Sequence, residues 1–326
     1  MRQEAATATA GITAEPGRAL AYVLLGFTMV VWGGSFVAAR ALLAPSNASD
    51  ATLTPTVLAA LRFVLASLLF VPPLLARRMN ARANGATVGS KLTRGDLLRL
   101  IGMGQLSIAA YFWLQYTGVR LTNAGIASIL VVGLIPIATV LFARIRLGEA
   151  FRRVHILGLA LGLTGVVVVT IQRESGLEFT ISRDFALGAL CLVADAVLFA
   201  AYSTLARGFR DRFDPLTLTA GMTAAGAAGL VLMAAVAGGW GDVADLSGWQ
   251  WVWVVYLALI CSVLAYFCYN RALAVLEAGR AATWVYLEPP VAIIFGALLL
   301  GETIGFASIA GGLIIATAVW VVSRAK

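Results

Sequence analysis

Charge is scarce in this chain: Asp, Glu, Lys and Arg make up 12% of 326 residues, and histidine occurs once, at His155. Three cysteines, Cys191, Cys261 and Cys268, all fall inside apolar runs. They have neither metal-ligand spacing nor the even number of a disulfide framework, and are read as small packing residues. The chain contains no His-Glu-x-x-His, no Gly-x-Ser-x-Gly and no nucleotide-binding glycine loop. A polytopic enzyme needs a nucleophile with its base, or a metal cluster, so these absences exclude catalysis and leave no cofactor or metal to be expected. The chain is also too short to hold an ATPase module beside its apolar runs. Neither rings of like charge nor a carbonyl filter sequence points to a channel. Residues 1–18 lack the basic start and short apolar core of a cleaved signal and read as a short disordered cytoplasmic tail.

What the chain has in abundance is apolar residues, 60% of the total, together with 33 glycines. Runs of about 20 apolar residues, enough to cross a hydrocarbon core of roughly 30 Å, recur from Leu20 to Val322. Ten spans are expected: 19–43, 55–77, 96–119, 122–145, 153–172, 185–208, 214–238, 249–274, 279–300 and 303–323. Polar loops at 78–95, 173–184 and 238–248 interrupt them. The formal net charge of +8 is dispersed through short loops rather than gathered on one module, which excludes a nucleic-acid partner and makes the charge a topology signal. With the N-terminus inside, nineteen of the 24 basic residues fall on the inner side, as short cytoplasmic loops require. Ten spans with both termini inside satisfy that count. Asn47-Ala48-Ser49 is a formal glycosylation triplet in an outer loop, of little weight in a chain of bacterial appearance.

One stretch is written twice. Residues 107–149 and 262–302 share S-x-x-A-Y-F (Ser107 to Phe112, Ser262 to Phe267), then Ala124-Gly125 or Ala278-Gly279, then Pro136 or Pro289, with Gly148-Glu149 and Gly301-Glu302 twelve residues further on. The first span of each half agrees, WGGSFVAAR ending at Arg40 over FAAYSTLAR ending at Arg207. The domain expectation is a first repeat over 19–172, an outer connecting loop at 173–184 and a second repeat over 185–326. Five spans per repeat is an odd number, so the second copy enters from the opposite face and the two halves are inverted. The expected fold class is therefore an all-α polytopic membrane protein of ten transmembrane helices in two inverted five-helix repeats. Such pseudo-twofold folds bind their solute near the midplane, between halves that rock about it.

The chain resembles the drug/metabolite transporter superfamily, and within it the ten-helix EamA-type exporters. The resemblance runs from about residue 20 to the end. It is carried by Trp32-Gly33-Gly34-Ser35-Phe36, Leu61-Arg62-Phe63, the Ala-Gly starts of spans 4 and 9, and the two Pro-to-Gly-Glu stretches, with Leu287-Glu288-Pro289 in the second. It implies an inner-membrane carrier that moves small organic solutes outward, commonly amino acids or other metabolites, through a central cavity lined by both halves. The small multidrug members carry a carboxylate in their first helix. This first span has none between Leu20 and Leu43, which leaves Asp195 as the nearest equivalent.

Polar groups at membrane depth are costly and usually face the bundle interior, so they supply the candidate site. Asp195 sits about ten residues into span 6, near the midplane at ~1.5 Å per residue, with Phe199 and Tyr202 on the same face; Thr28, Trp32 and Ser35 are their repeat counterparts. Asp195 reads either as a proton or substrate-amine site or as a buried structural hydrogen bond. Glu288 precedes Pro289-Pro290, where missing backbone donors should break or kink span 9, and Trp284 lies one turn earlier. Glu288 either ties the kink to Arg62 or a backbone amide, or meets the solute's amine or a coupling proton. Arg62 needs a partner, either a structural one or a solute carboxylate suited to its planar fork.

Tyr111 with Gln115, and their repeat mates Tyr266 with Asn270, each share a helix face that the inversion turns to the central axis. Trp113 adds to the aromatics available for a bulky solute. Gly158, Gly162 and Gly165, like Gly305, Gly311 and Gly312, offer small-residue faces that either pack the repeats together or form a dimer contact, so monomer and homodimer both stay open. Glu149 and Glu302 read as charges at the starts of spans 5 and 10, His155 as a packed polar residue, and Trp240, Trp249, Trp251 and Trp253 as interface anchors. The expected function is a secondary carrier that exports small metabolites, best amino acids including aromatic ones, with a small-molecule substrate and the lipid bilayer as partners. An uptake permease, a drug, nucleobase or sugar carrier of the same fold, and a membrane receptor or assembly subunit without transport are the alternatives.

Overall fold

Every regular element described by the computed structural model is a helix, and the caps that start these helices are written in the sequence. The described residues are 16–43, 50–83, 92–121, 124–149, 153–173, 183–300 and 305–324. Residues 1–15 of the tail, the triplet at Asn47, loop residues 174–182 and Gly301-Glu302 lie outside them. Thr54, ahead of Pro55, accepts from the Val57 N–H and opens α2 (Pro55–Leu69). Thr93 and Asp96 form a reciprocal capping box at α4 (Arg94–Gly104), as Ser247 and Gln250 do at α10 (Gly248–Val255). Asp214, ahead of Pro215, caps α9 (Pro215–Ala237).

The remaining helices are α1 (Pro16–Leu43), α3 (Val71–Ala83), α5 (Tyr111–Leu121), α6 (Ala124–Leu147), α7 (Arg153–Arg173), α8 (Arg183–Gly208), α11 (Ala265–Leu273), α12 (Ala278–Thr283), α13 (Glu288–Leu300) and α14 (Phe306–Arg324). Among the described residues, seven helical segments are long and apolar enough to cross a membrane. They coincide with expected spans 1 to 4 and 6 to 8; spans 5 and 10 contain the shorter apolar stretches Arg153–Val168 and Ile309–Val322. The protein is a multi-pass membrane protein.

Spans 2, 3 and 8, expected as continuous helices, are interrupted, and so is span 9, where a break was expected. Span 2 divides at Phe70 into α2 and α3, because Pro72 and Pro73 bring no backbone donors to the turn above it. Span 9 is broken as its two prolines require: α12 passes into a 3₁₀ turn at Trp284–Leu287 and restarts as α13 at Glu288. Spans 3 and 8 contain π-helical segments, Gln105–Ala110 and Tyr256–Leu264, at matched places in the two repeats. Each ends at the shared Ala-Tyr-Phe. A π turn departs from the regular i to i+4 pairing of carbonyls, and here α1 uses one carbonyl of the second segment and one of the residue that follows it. The Trp32 indole donates to Cys261 O at 3.0 Å and the Thr28 hydroxyl to Ala265 O at 3.3 Å.

Packing follows the same pairing. α1 lies against α11 and α13, while α8 lies against α5 and α6; α2 packs on α9, and α7 on α14. The small-residue faces are used inside the chain. A Cβ on Gly158 would stand 2.1 Å from Val322, one on Gly165 2.5 Å from Ile315, and one on Gly162 2.3 Å from the Tyr286 ring. α7 therefore meets α14 and the break in span 9 through its glycines.

At one end of the bundle, Asp96 accepts from Arg99 (3.1 Å) and from Arg212 (2.8 Å to Nε, with a second bond to the same guanidinium), and Arg77 pairs with Asp214 at 2.6 Å. Partial burial of Asp214 would raise its pKa, but the bonds from Arg77 and Thr217 outweigh this and hold the carboxyl below its ordinary value. A carboxyl with a lowered folded-state pKa contributes stability above its unfolded value, lost as the pH falls through the folded one. Asp214→Asn keeps a capping side chain and loses the ion pair. At pH 7 it should lower thermal stability by less than about 1 kcal/mol, since both partners are partly exposed. The gap from wild type should begin to narrow near about pH 4 and shrink further as the pH falls, which thermal unfolding in detergent at pH 7 and pH 3.5 will measure.

Candidate functional site

The continuous helices α1 and α8 meet the interrupted spans 3, 8 and 9 at one aromatic and polar cluster. Trp32 of α1 lies edge-on to Phe199 of α8 at 6.0 Å and to Tyr266 of α11 at 5.1 Å, and meets Tyr269 at 5.3 Å. Tyr202 stacks on Tyr269 at 6.1 Å and approaches Tyr266 at 6.0 Å. Tyr111 of α5 reaches Phe199 at 5.9 Å. All of these rings are buried. Phe199 was placed on the Asp195 face by helical spacing; Tyr269 was missed, because the repeat comparison aligns it with Leu114, although it lies one turn from Tyr266.

Hydrogen bonds divide the polar members into two groups. Asn270 is fully engaged: its oxygen accepts from the Tyr202 hydroxyl at 2.9 Å, and its amide donates to Thr219 at 2.9 Å. The Tyr269 hydroxyl bonds Ser203 at 3.1 Å. In the other repeat the Gln115 amide donates to its own helix-mate Tyr111 at 2.9 Å. Asp195 is wholly buried, yet neither carboxyl oxygen has a hydrogen-bond partner among the described residues. The Gln115 amide approaches the carboxyl as a weak donor without reaching hydrogen-bond geometry, and its nitrogen donates to Tyr111. Thr28, its repeat counterpart, is satisfied by the carbonyls of Leu24 and Ala265. Glu288, also buried, stands at the first position of α13, and both carboxyls lie within electrostatic reach of the Tyr111 and Tyr266 hydroxyls.

Among the described residues Arg62 forms no ion pair with a carboxylate. Its Nε donates to Ser262 at 2.7 Å, and its guanidinium lies over Phe63 at 5.0 Å and Phe112 at 4.8 Å. Ser262 is in turn held by Leu257 O, five residues back in the π segment. A delocalised cation between two ring faces is stabilised without an ion pair. Arg62 is thus not tied to Glu288, one of the partnerships the sequence suggested.

Three expected members lie elsewhere. Ser35 bonds back to Trp32 O at 2.7 Å and joins no cross-helix contact among those described. Trp284 stacks on Tyr22 at 5.6 Å and lines a lateral cavity of about 470 Å³ with Leu287, Val319 and Trp320, away from Asp195. Trp113 is 46% exposed on the outer surface of the bundle, so it is no cavity aromatic.

Glu149 corrects another expectation. Gly148, at φ 67°, ends α6 and turns Glu149 away from α7. The carboxylate accepts from the N–H groups of Ala278 (2.9 Å) and Gly279 (3.3 Å) at the start of α12, and pairs with Arg207 Nε at 3.0 Å. Arg207 also donates to the carbonyls of Leu273, at 2.9 Å, and Leu276. Residues from the two halves are thereby tied together where α6 and α8 end.

A repeated helical membrane unit with a buried aromatic and polar cluster is the architecture of a membrane transport protein. The sequence profile of the EamA-like transporter family matches residues 19–171 and again 186–324, and the chain belongs to that family. It is a transporter, not an enzyme, whose partners are a small-molecule substrate and the lipid bilayer. An uncharacterized transporter of Archaeoglobus fulgidus is 28% identical over 293 residues, 90% of this chain and 93% of that one. The uncharacterized inner membrane transporter YedA of Escherichia coli K12 is 28% identical, covering 84% and 81%. A Streptantibioticus cattleyicolor protein described as a probable terminal-alkyne amino-acid exporter is 26% identical, covering 92% of each chain. One solved crystal structure superposes with a TM-score of 0.75 at 22% identity, covering 93% and 96%, which shows a shared fold.

Proposed function

We propose that this protein is a secondary carrier of the bacterial inner membrane that exports small organic metabolites, amino acids including aromatic ones, by alternating access. The proposed architecture has ten spans in two inverted repeats, over 19–172 and 185–326, a tail at 1–18, an outer loop at 173–184 and both termini in the cytoplasm. The matching of α1 on α11 and α13 by α8 on α5 and α6, the pairs α2 with α9 and α7 with α14, and the matched π segments support the inversion. The proposed solute site comprises Trp32, Tyr111, Gln115, Tyr202, Tyr266 and Asn270, with Ser35 and Trp284 at its approaches. Asp195, Glu288 and Arg62 supply its charge.

The observation that carries this reading is the cluster itself: helices from both halves bring buried rings and polar groups to one place. Polar groups are kept at such depth where a solute needs them. The amino-acid assignment draws on the S. cattleyicolor relative and on this chemistry together. Counterflow of labelled amino acids into proteoliposomes, at equal pH on both sides, tests it with a panel of aromatic, aliphatic, acidic and hydroxyl members. Exchange of the aromatic or aliphatic class is expected. Exchange of nucleobases or sugars with no amino acid would replace the substrate assignment.

A further inference from the structure

We propose that Asp195, seconded by Glu288, binds the ammonium group of the solute, so that the carrier accepts molecules bearing a protonated amine on an aromatic or other apolar body. The inference rests on the carrier reading above and narrows its substrate class. A buried carboxyl group without a hydrogen-bond partner is rare in a native structure and calls for an explanation, a functional role among them. Asp195 has both oxygens in that condition.

Its surroundings on each side specify what the ligand must bring. From α5, Tyr111 and Gln115 face Asp195, and these two are bonded to each other. From α11 comes the Tyr266 hydroxyl and from α13 a second carboxyl, Glu288. Among the described residues no Lys or Arg forms an ion pair with either acid. The buried cation nearest to Tyr266, Arg62, is held by Ser262 between two phenylalanine faces. The site therefore has two acceptors of positive charge and lacks the donor. An ammonium group supplies three N–H donors and one charge. The rings of Trp32, Phe199, Tyr202, Tyr266 and Tyr269, with centroids about 5 to 6 Å apart, add faces that attract a cation and pack an apolar body.

The inverted repeat sharpens the assignment. At the equivalent place in the first half stands Thr28, whose single hydroxyl donor is used up on carbonyls. The two halves are therefore chemically unlike where they should match, and the unlike residue is the unpartnered one.

The test compares phenylethylamine, which keeps the amine and lacks a carboxylate, with 3-phenylpropionate, which keeps the carboxylate and lacks the amine. Each is offered to the purified full-length protein in a thermal-shift titration and as a competitor of labelled phenylalanine counterflow. Phenylethylamine should stabilise and compete at concentrations about 10-fold or more below those of 3-phenylpropionate, the size of effect a charge-assisted bond gives. In Asp195→Asn that preference should fall by about the same factor, with Glu288→Gln showing a smaller loss. The melting temperature of ligand-free Asp195→Asn should be unchanged or higher, whereas a structural hydrogen bond at Asp195 predicts a lower one. Equal action of the two compounds on the wild type, or an unaltered amine preference in Asp195→Asn, overturns the proposal. Absence of counterflow with amine-selective thermal shift would count against the carrier reading and for the ammonium site; counterflow of phenylalanine inhibited equally by both compounds would do the reverse.

Discussion

Arg207→Ala should loosen the end of the bundle at which α8 terminates, and labelling of a cysteine behind it should become roughly 5 to 150 times faster. That range corresponds to about 1–3 kcal/mol of lost closure. The figure lies between the small value of an exposed ion pair and the 3–5 kcal/mol of a fully buried one, because Arg207 and Glu149 are 15% and 13% exposed. Arg207 binds the last turn of α11 through Leu273 and Leu276, and Glu149 binds the first turn of α12. One pair of side chains thus clamps the connection between spans 8 and 9 to α6 and α8. In the proposed topology this clamp lies at the cytoplasmic end of the bundle. Leu276, 2% exposed, gives the reporter site: Leu276→Cys in a background without Cys191, Cys261 and Cys268, timed against a soluble maleimide. Glu149→Gln should show a smaller acceleration, since an amide oxygen still accepts from Ala278. Unchanged labelling in Arg207→Ala would mean that packing of Val140 against Gly279, not the charge pair, closes this end.

The features legible in the sequence were those with a pattern that repeats or a chemistry that breaks helices. The twofold copy of S-x-x-A-Y-F located the residues that the structure brings together, Tyr111 and Tyr266 with Trp32, and the pair of prolines after Glu288 located the break in span 9. The π segments were invisible, since nothing in QLSIAA or YLALICSVL differs from ordinary helix former in period or polarity; the second shows itself through the Cys261 carbonyl, which accepts from Trp32 of another helix. Side-chain direction was the other blind spot. Trp113 is next to Phe112 in sequence, but a step of about 100° around the helix sends one ring to the outer surface and the other to Arg62. Trp284 was assigned by a helical period that the 3₁₀ turn does not keep. Arg62 was predicted to want a partner and has one, though rings and a serine hydroxyl supplied what a carboxylate was expected to give. Charge complementarity seen across a helix wheel does not reveal aromatic faces from elsewhere in the chain.

Gly104→Ala and Gly102→Ala, two residues apart on α4, should change stability in opposite directions. A Cβ at Gly102 meets nothing within 4 Å, so alanine there supplies only its better helix propensity, about 0.5–1 kcal/mol of stabilisation. At Gly104 the same methyl would stand 2.3 Å from Met222 O and 2.7 Å from Gly226 N on α9. Both are backbone atoms, which cannot swing aside as a side chain can. From the opposite helix, a Cβ on Gly226 would lie 2.7 Å from Gly104 O, so the two glycines form one backbone-to-backbone crossing. Alanine at Gly104 must push α4 and α9 apart just before the π segment that carries Ser107 toward Tyr111. Overpacking of this kind costs about 1–3 kcal/mol or more. Melting temperatures of the two variants in detergent should therefore fall on either side of wild type, with the Gly104 variant also losing counterflow as α5 shifts. Equal melting temperatures would show that α9 yields at little cost, and the crossing would then be a hinge between the halves instead of a fixed contact.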